Sequence, residues 1–465
     1  MCSTPKEKNH VSDKPLTVRV SRRHRGRLWR SPRLLFEHVR NDSLLRNSLF
    51  IMVTTVINSV FGFVFWLVAA HLFPASVVGL TAALVSASTI MVLLSSLGVS
   101  GMLIQSMSSH KDAEGWSVTF WAGIMIAVVL SLTLACATIF ALPFFAPDLE
   151  VLHRFSYAAL FAVATIATTA GVVLDSVFIA ERAAGNMVVR NMVAAVSKFL
   201  VVVLFMLVAG ANSLNLLSAW AVASVIGVGV GAFLLIRRAS PLRPSRTSTL
   251  IRTALGHRSR LAGNQLIGMG GALLPYVVPL LVTERLSASD NAYFYTTWMM
   301  AGIFLIISPS VSQALFAEGA HSPHELLGKA RAALGVIGAI IVPCSIGILF
   351  LGGLMLSAFG PAYERHGVGL LRIVLVASIP DAVTNVYVAL LRVQGRLAVG
   401  AALNVGMGLG IVVLSWIFLP ELGISAVGWA FLAMQLCGCV FVVFDLRRTS
   451  IVDRKVGSSK RLGTA

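Results

Sequence analysis

This sequence predicts an all-α integral membrane fold, with about twelve transmembrane helices in two pseudo-repeated six-helix lobes, on three observations. Of its 465 residues, 57% are hydrophobic and 12% charged, and the mean hydropathy is +0.85. A soluble domain carries about 25% charged residues, so most of this chain is built to meet lipid. The apolar residues are gathered into runs long enough to span a bilayer, which takes about 20 of them. Two stretches of the first half also recur in the second.

Spans are expected near 48–72, 80–103, 117–145, 155–179, 187–209, 216–236, 261–282, 293–315, 332–357, 370–391, 399–418 and 426–444. The third and ninth runs are long and either tilt or extend into an interface. Residues 1–46 are read as a basic cytoplasmic tail, because the polar stretch is too long for a cleavable leader. Six spans then fill 47–236, a linker 237–260 with seven Arg and no acid follows, six more spans fill 261–446, and 447–465 is a tail.

Lys and Arg set the orientation. Of the 37, 32 fall in segments on the side of the two termini, and only Arg154, Arg285 and Arg365 fall in the loops of the other side. Lys198 and Arg372 lie within spans. The expected placement is therefore a multi-pass protein of the cytoplasmic membrane with both termini inside. The net charge of +18 is read as topology and contact with anionic membrane lipids, not as a nucleic-acid surface. Trp220, Trp416 and Trp429 fall at expected outer ends and Trp116 at an inner end, as an interfacial belt would place them.

The repeat has two parts. Asp175, Arg182 and Gly185 match Asn385, Arg392 and Gly395 at an offset of 210. The stretch from Leu72 to Gly79 matches that from Arg285 to Ala292 at an offset of 213. Duplicated bundles are how many transporters build an alternating-access site between lobes.

Charge at mid-bilayer is costly, so each such group is a candidate site residue. Lys198 lies mid-way along the fifth span and shares a face with Asn191 and Ala195. It is either an anion contact or one half of an ion pair with Asp381 or Asp175. Asp381 follows Pro380 in the tenth span and shares a face with Ser378, Thr384 and Asn385. It is expected to take a coupling proton or sodium ion, the proline freeing carbonyls beside it. Asp175, nearer the inner end of the fourth span, either joins that coupling role or pairs with Arg182. Asn58, Asn264 and Gln265 are uncharged polar groups that either line a cavity with Lys198 and Asn191 or bond across helices. Prolines cluster in the second half, at 275, 279, 309, 343 and 380. Gly227, Gly229 and Gly231, and Gly406, Gly408 and Gly410, read as strips for close helix packing.

No catalytic constellation is present, and no enzyme activity, metal or cofactor is expected beyond the coupling ion. The short outer loops lack the acids of a membrane glycosyltransferase and the bulk of a glycan polymerase. There is no Gly-Lys-Ser/Thr phosphate loop. The segment from Gln105 to Gly115 lacks the signature of major facilitator transporters. The five cysteines suggest neither zinc nor disulfides.

The stretches Arg46-Asn-Ser-Leu-Phe50, Gly62-Phe-Val-Phe-Trp66, Leu72-Phe-Pro-Ala-Ser76-Val-Val-Gly79 and Leu94-Ser-Ser-Leu-Gly98-Val-Ser-Gly-Met-Leu-Ile104 resemble the N-terminal region of the polysaccharide-transport family. These are the O-antigen-type flippases of the multidrug/oligosaccharidyl-lipid/polysaccharide superfamily. With the six-plus-six layout, the resemblance extends over about 40–445. It implies two lobes around a central cavity that opens alternately to each face. It implies a glycan on a polyprenyl pyrophosphate as cargo, moved for cell-surface polysaccharide biosynthesis. Glycosyltransferases or a polysaccharide polymerase would then be partner enzymes. The alternative within the superfamily is a cation-coupled multidrug antiporter.

Overall fold

The structure is a computed structural model, and it describes residues 43–107, 113–238, 274–321 and 326–462. The first lobe holds α1 (Ser43–Leu72), α2 (Ala75–Met107), α3 (Ala113–Phe145), a short 3-10 helix (Pro147–His153), α4 (Phe155–Ala180), α5 (Ala184–Ala209) and α6 (Ser213–Arg238). The second holds α7 (Leu274–Arg285), α8 (Ala288–Leu305), α9 (Ile307–His321), α10 (Leu326–Ser357), α11 (Pro361–Val393), α12 (Leu397–Leu422) and α13 (Ser425–Leu462).

Among the described residues, 11 helical stretches are long and apolar enough to cross a membrane, with α8 and α9 counting as one crossing. The expected seventh span is represented by the twelve residues of α7; its beginning, with Asn264 and Gln265, lies outside the described residues, as does most of the 237–260 linker. In α3 only 17% of the most apolar window is buried inside the protein. Phe140, Phe144 and Leu207 stand exposed, a surface that water would not tolerate and that acyl chains cover. The 33 residues of α3 and of α11 measure about 50 Å at the usual helical rise, longer than the ~30 Å hydrocarbon core.

The prolines mostly leave their helices unbroken. Both α10 and α11 run through Pro343 and Pro380 without interruption. The exception is Pro309: its ring has no N–H to offer Leu305, and the helix breaks there into α8 and α9. Helix α13 runs on into the expected C-terminal tail, as far as Leu462.

One offset, 213, relates the lobes. It carries α5 onto α12, 26 residues each with identical bounds, and starts α3 and α10 together. It carries Gly210 onto Gly423, the two left-handed glycines that close α5 and α12. It also carries the end of α4 onto the end of α11. There Ala183 N–H reaches Phe178 O at 2.7 Å and Arg396 N–H reaches Leu391 O at 2.8 Å, the same capping bond. The left-handed position of that cap is Arg182 (φ 53°) in one lobe and Gly395 (φ 74°) in the other. The offset of 210 that matches Arg182 to Arg392 is thus a three-residue slip.

The two lobes meet at the end opposite the chain termini, here called the distal end. A core runs across both: the Trp66 ring lies 4.9 Å from that of Tyr295, and the Phe63 ring 5.3 Å from that of Phe359. At Gly79 a Cβ would sit 1.5 Å from the Ala288 carbonyl oxygen, so only glycine permits this crossing of α2 and α8. The Ala288 N–H donates to Asp148 Oδ2 at 3.0 Å, again across the lobes.

Candidate functional site

A cavity of about 340 Å³ lies within the first lobe, between α1, α4, α5 and α6. The helical repeat sets Arg190, Asn191, Ala194, Ala195 and Lys198 along one side of α5, and all five line it. Asn58 enters from α1, Asp175 from α4, and Trp220 from α6.

At one end is a closed polar network. Arg190 Nε donates to Asp175 Oδ1 at 2.7 Å and its Nη2 to Asp175 Oδ2 at 2.6 Å. Asn191 donates to Asp175 Oδ2 at 3.1 Å and accepts from Arg190 at 3.0 Å and from Asn58 at 3.3 Å. Room for the guanidinium comes from three glycines. A Cβ at Gly171 would lie 2.6 Å from Arg190 Nη1, one at Gly231 2.9 Å from its Cδ, and one at Gly227 3.4 Å from Nη1. The strip 227–231 is therefore in part a slot for Arg190, while Gly229, with nothing within 4 Å, is not. In the other strip, Gly410 makes way for Met434 and Gly406 and Gly408 face open space, so close helix packing does not explain them.

At the other end stands Lys198. Its ammonium lies 3.5 Å from the centre of the Trp220 ring and 5.3 Å from that of Phe65. A desolvated cation–π contact of this kind is worth about 2 kcal/mol or more. No carboxylate pairs with Lys198 among the described residues, so neither the Lys198–Asp175 nor the Lys198–Asp381 pair forms. Asp175 pairs with Arg190 and not with Arg182, because Arg190, two turns into α5, faces α4. Trp220 is turned to Lys198 and not to the interface, and Trp116 is buried, donating to Glu181 at 2.7 Å. Trp416 and Trp429 are exposed.

The second lobe holds a buried acid. Asp381, 7% exposed, accepts from Gln435 Nε2 of α13 at 3.0 Å. Gln435 in turn accepts from Thr384 at 2.7 Å. The main-chain carbonyl of Asp381 is met by Thr384, Asn385 and Ser308 at 2.9, 3.0 and 3.4 Å. Asp381 has no cationic partner among the described residues. At the helix ends nearest the termini, Arg396 grips Asp445 through bonds of 2.7 and 2.8 Å, which raise its already high pKa, and Tyr387 donates to the same carboxylate.

The fold brings Lys198, Asn191 and Asn58 of the expected binding set to one cavity, and it puts there Asp175, which was expected with the coupling residues Asp381 and Asn385; those two lie in the second lobe. Sequence reasoning missed Arg190, counted with the cytoplasmic charges, and Gln435. Both carried a signal: Arg190 stands one helical face from Asn191 and Lys198, and Gln435 is a polar residue inside an apolar run.

This is the fold of the transporters of the MOP superfamily. Over 86% of this chain and 87% of the other, the structure matches the lipid II flippase MurJ in an inward closed conformation, with a TM-score of 0.70 at 11% identity. It also matches an outward-facing multidrug resistance MATE family transporter of the MOP superfamily (TM-score 0.55, 14% identity, 89% and 96% covered). A third match is a MOP superfamily transporter from Pyrococcus furiosus (TM-score 0.56, 14% identity, 88% and 95% covered). No family model matches the sequence, and no curated protein sequence matches it. At such identities the likeness speaks for the fold and not for the cargo.

Proposed function

We propose that the protein is a flippase that carries a polyprenyl-pyrophosphate-linked glycan across the cytoplasmic membrane by alternating access, for cell-surface polysaccharide. One observation carries this reading. The first-lobe cavity contains two cations and one carboxylate, and Arg190 already neutralises Asp175. Lys198 is the surplus charge, and a buried charge calls for a counter-charge. A pyrophosphate supplies it, with Asn58 and Asn191 as further polar contacts. Cationic drugs would meet repulsion there.

The test is glycan flipping in proteoliposomes. Lys198→Ala abolishes it while the protein still folds and inserts, and Lys198→Arg keeps part. Normal flipping by Lys198→Ala would defeat the reading. Asp381, with Asn385 beside it, is the coupling acid in this scheme, and Asp175 is held in reserve by Arg190. The buried acid at Asp381 also suits a cation-coupled multidrug antiporter. Competition by lipophilic cations for the cavity, unaffected by Lys198→Ala, would favour that second reading.

A further inference from the structure

Asp381, Thr384 and Gln435 form a closed chain of contacts that works in two directions. The Gln435 amide lies 3.0 Å from Asp381 Oδ1 through one of its two polar atoms and 2.7 Å from Thr384 Oγ1 through the other. Thr384 Oγ1 also lies 2.9 Å from the main-chain carbonyl oxygen of Asp381. A hydroxyl has one hydrogen, so Thr384 serves only one of these two acceptors at a time. All three side chains are buried, so none turns to water instead.

With Asp381 ionised, its carboxylate accepts from Gln435 Nε2, and Gln435 Oε1 accepts from Thr384. With a proton on Asp381, the carboxyl must donate. A half-turn of the Gln435 amide then presents Oε1 to the Asp381 O–H and Nε2 to Thr384 Oγ1. The Thr384 hydrogen passes to the Asp381 main-chain carbonyl, already 2.9 Å away. Amide oxygen and nitrogen are nearly the same size, so the exchange needs no other heavy atom to move. Every bond of the chain reverses, and none of the three side chains is left without a partner in either state.

Sodium finds no comparable place. A hard cation gathers several oxygen ligands at once, and transporters supply many of them from unwound backbone. Here α11 is unbroken. The carbonyl that Pro380 leaves without its helical donor is that of Val376, about 8 Å along the axis from Asp381. The carbonyls beside the carboxylate are taken: that of Asp381 by Thr384, Asn385 and Ser308, and that of Pro380 by the Cys439 thiol at 3.5 Å.

We propose that Asp381 takes a proton and not sodium, and that Gln435, held by Thr384, is the positioning residue that accommodates both states of the acid. The proposal rests on the reading of Asp381 as the coupling acid and names its ion. Of the helices packed on α11, α13 brings Gln435 and the Cys439 thiol to this acid, and α9 brings the Ser308 hydroxyl. The charged residues of α8, α10 and α12 are Asp290, Lys329, Arg331 and Glu421, all near helix ends. On α11 itself Arg372 and Arg392 lie about 14 and 17 Å away along the axis.

The full-length protein in lipid bilayers, without cargo or gradient, is followed by infrared difference spectroscopy during pH and sodium titrations. Wild type gains a protonated-carboxyl stretch on acidification. That band is lost in Asp381→Asn and untouched by sodium. Gln435→Met, similar in volume, removes the acceptor, so the band moves to higher frequency, whereas Thr384→Ser, which keeps the hydroxyl, leaves it in place. Where Gln435→Met does not insert, the wild-type band decides: independence of sodium supports the proposal and displacement by sodium overturns it. It is equally overturned if no carboxyl band responds to pH, if the band persists in Asp381→Asn, or if Gln435→Met inserts and leaves the frequency unchanged. A proton bound at Asp381 without gradient-driven flipping would remove the coupling role and leave the proton site standing.

Discussion

Asn291, at the start of α8, donates from its side-chain amide to the main-chain carbonyl of Gly79 on α2, 2.8 Å away, and so joins the two lobes at the distal end. Gly79 itself has no room for a side chain against Ala288. The bond and the close crossing are a single contact. In the proposed alternating-access cycle the two would have to open together.

Gly79→Val is therefore expected to hold the distal mouth open. Spin labels at Ser76 and Ser289 check this by pulsed dipolar spectroscopy. The variant gives a longer distance than wild type, and transport drops to background. An unchanged distance distribution would remove the crossing from the list of gates.

Arg190→Ala leaves Asp175 buried and unpaired, and breaking such a pair costs about 3–5 kcal/mol. Replacing both partners together, Asp175→Leu with Arg190→Met, recovers most of that loss, because neither charge is then left buried. Thermal unfolding in detergent measures both. A double variant no more stable than the single would mean that the network does more than neutralise itself.

The glycine slot gives a sharper test of the same network. Gly171→Ala and Gly231→Ala push on the Arg190 side chain and cost about 1–3 kcal/mol each, as overpacking does. Gly229→Ala, two residues from Gly231 and on the open side of the helix, is neutral or slightly stabilising because it raises helix propensity. Equal melting temperatures for all three would contradict the slot.

Asp381→Asn keeps the shape of the second-lobe acid and its bond to Gln435 while removing the charge. It is expected to leave cargo binding intact and to make flipping insensitive to an imposed proton or sodium gradient. The comparison is run in proteoliposomes, wild type beside variant. If both respond alike, coupling resides elsewhere.

Both termini are expected in the cytoplasm. Reporters fused after residue 238 and at the C-terminus of α13 then give the same cytoplasmic signal. An external signal at either site would break the even number of crossings in that lobe.

Hydrophobic runs made the helices legible, since a lipid-facing helix must be apolar over its whole length. They could not say where α13 stops, because helix continues beyond the bilayer on a polar sequence. Lys198 and Asp381 were legible because isolated charge in an apolar run is conspicuous. Their partners were not. Arg190 lies near a span end, where a cation ordinarily reaches headgroups, and only the three facing glycines reveal that it turns inward. Trp220 was hidden in the same way: position along a helix suggested an interface, whereas rotation about the helix decided the outcome. The repeat was half legible. One segment gave 213 and the other 210, because side-chain chemistry had drifted while the capping bonds at Ala183 and Arg396 had not.

The single register has a consequence for how the chain came to be asymmetric. Carried across by 213, Lys198 falls on Ile411, Asp175 on Val388 and Arg190 on Leu403, while Asp381 falls back on Thr168. The frame has kept its joints and exchanged its charges. A doubled scaffold lets each copy keep the same caps and helix bounds while its side chains diverge, so the positive and the negative centres need not compete for the same helices. Transplanting residues between the copies becomes a defined operation. Installing lysine at Ile411 would put a cation where the second copy now packs apolar residues, Ala377, Ala430 and Phe431, and so would measure how far the two copies have diverged.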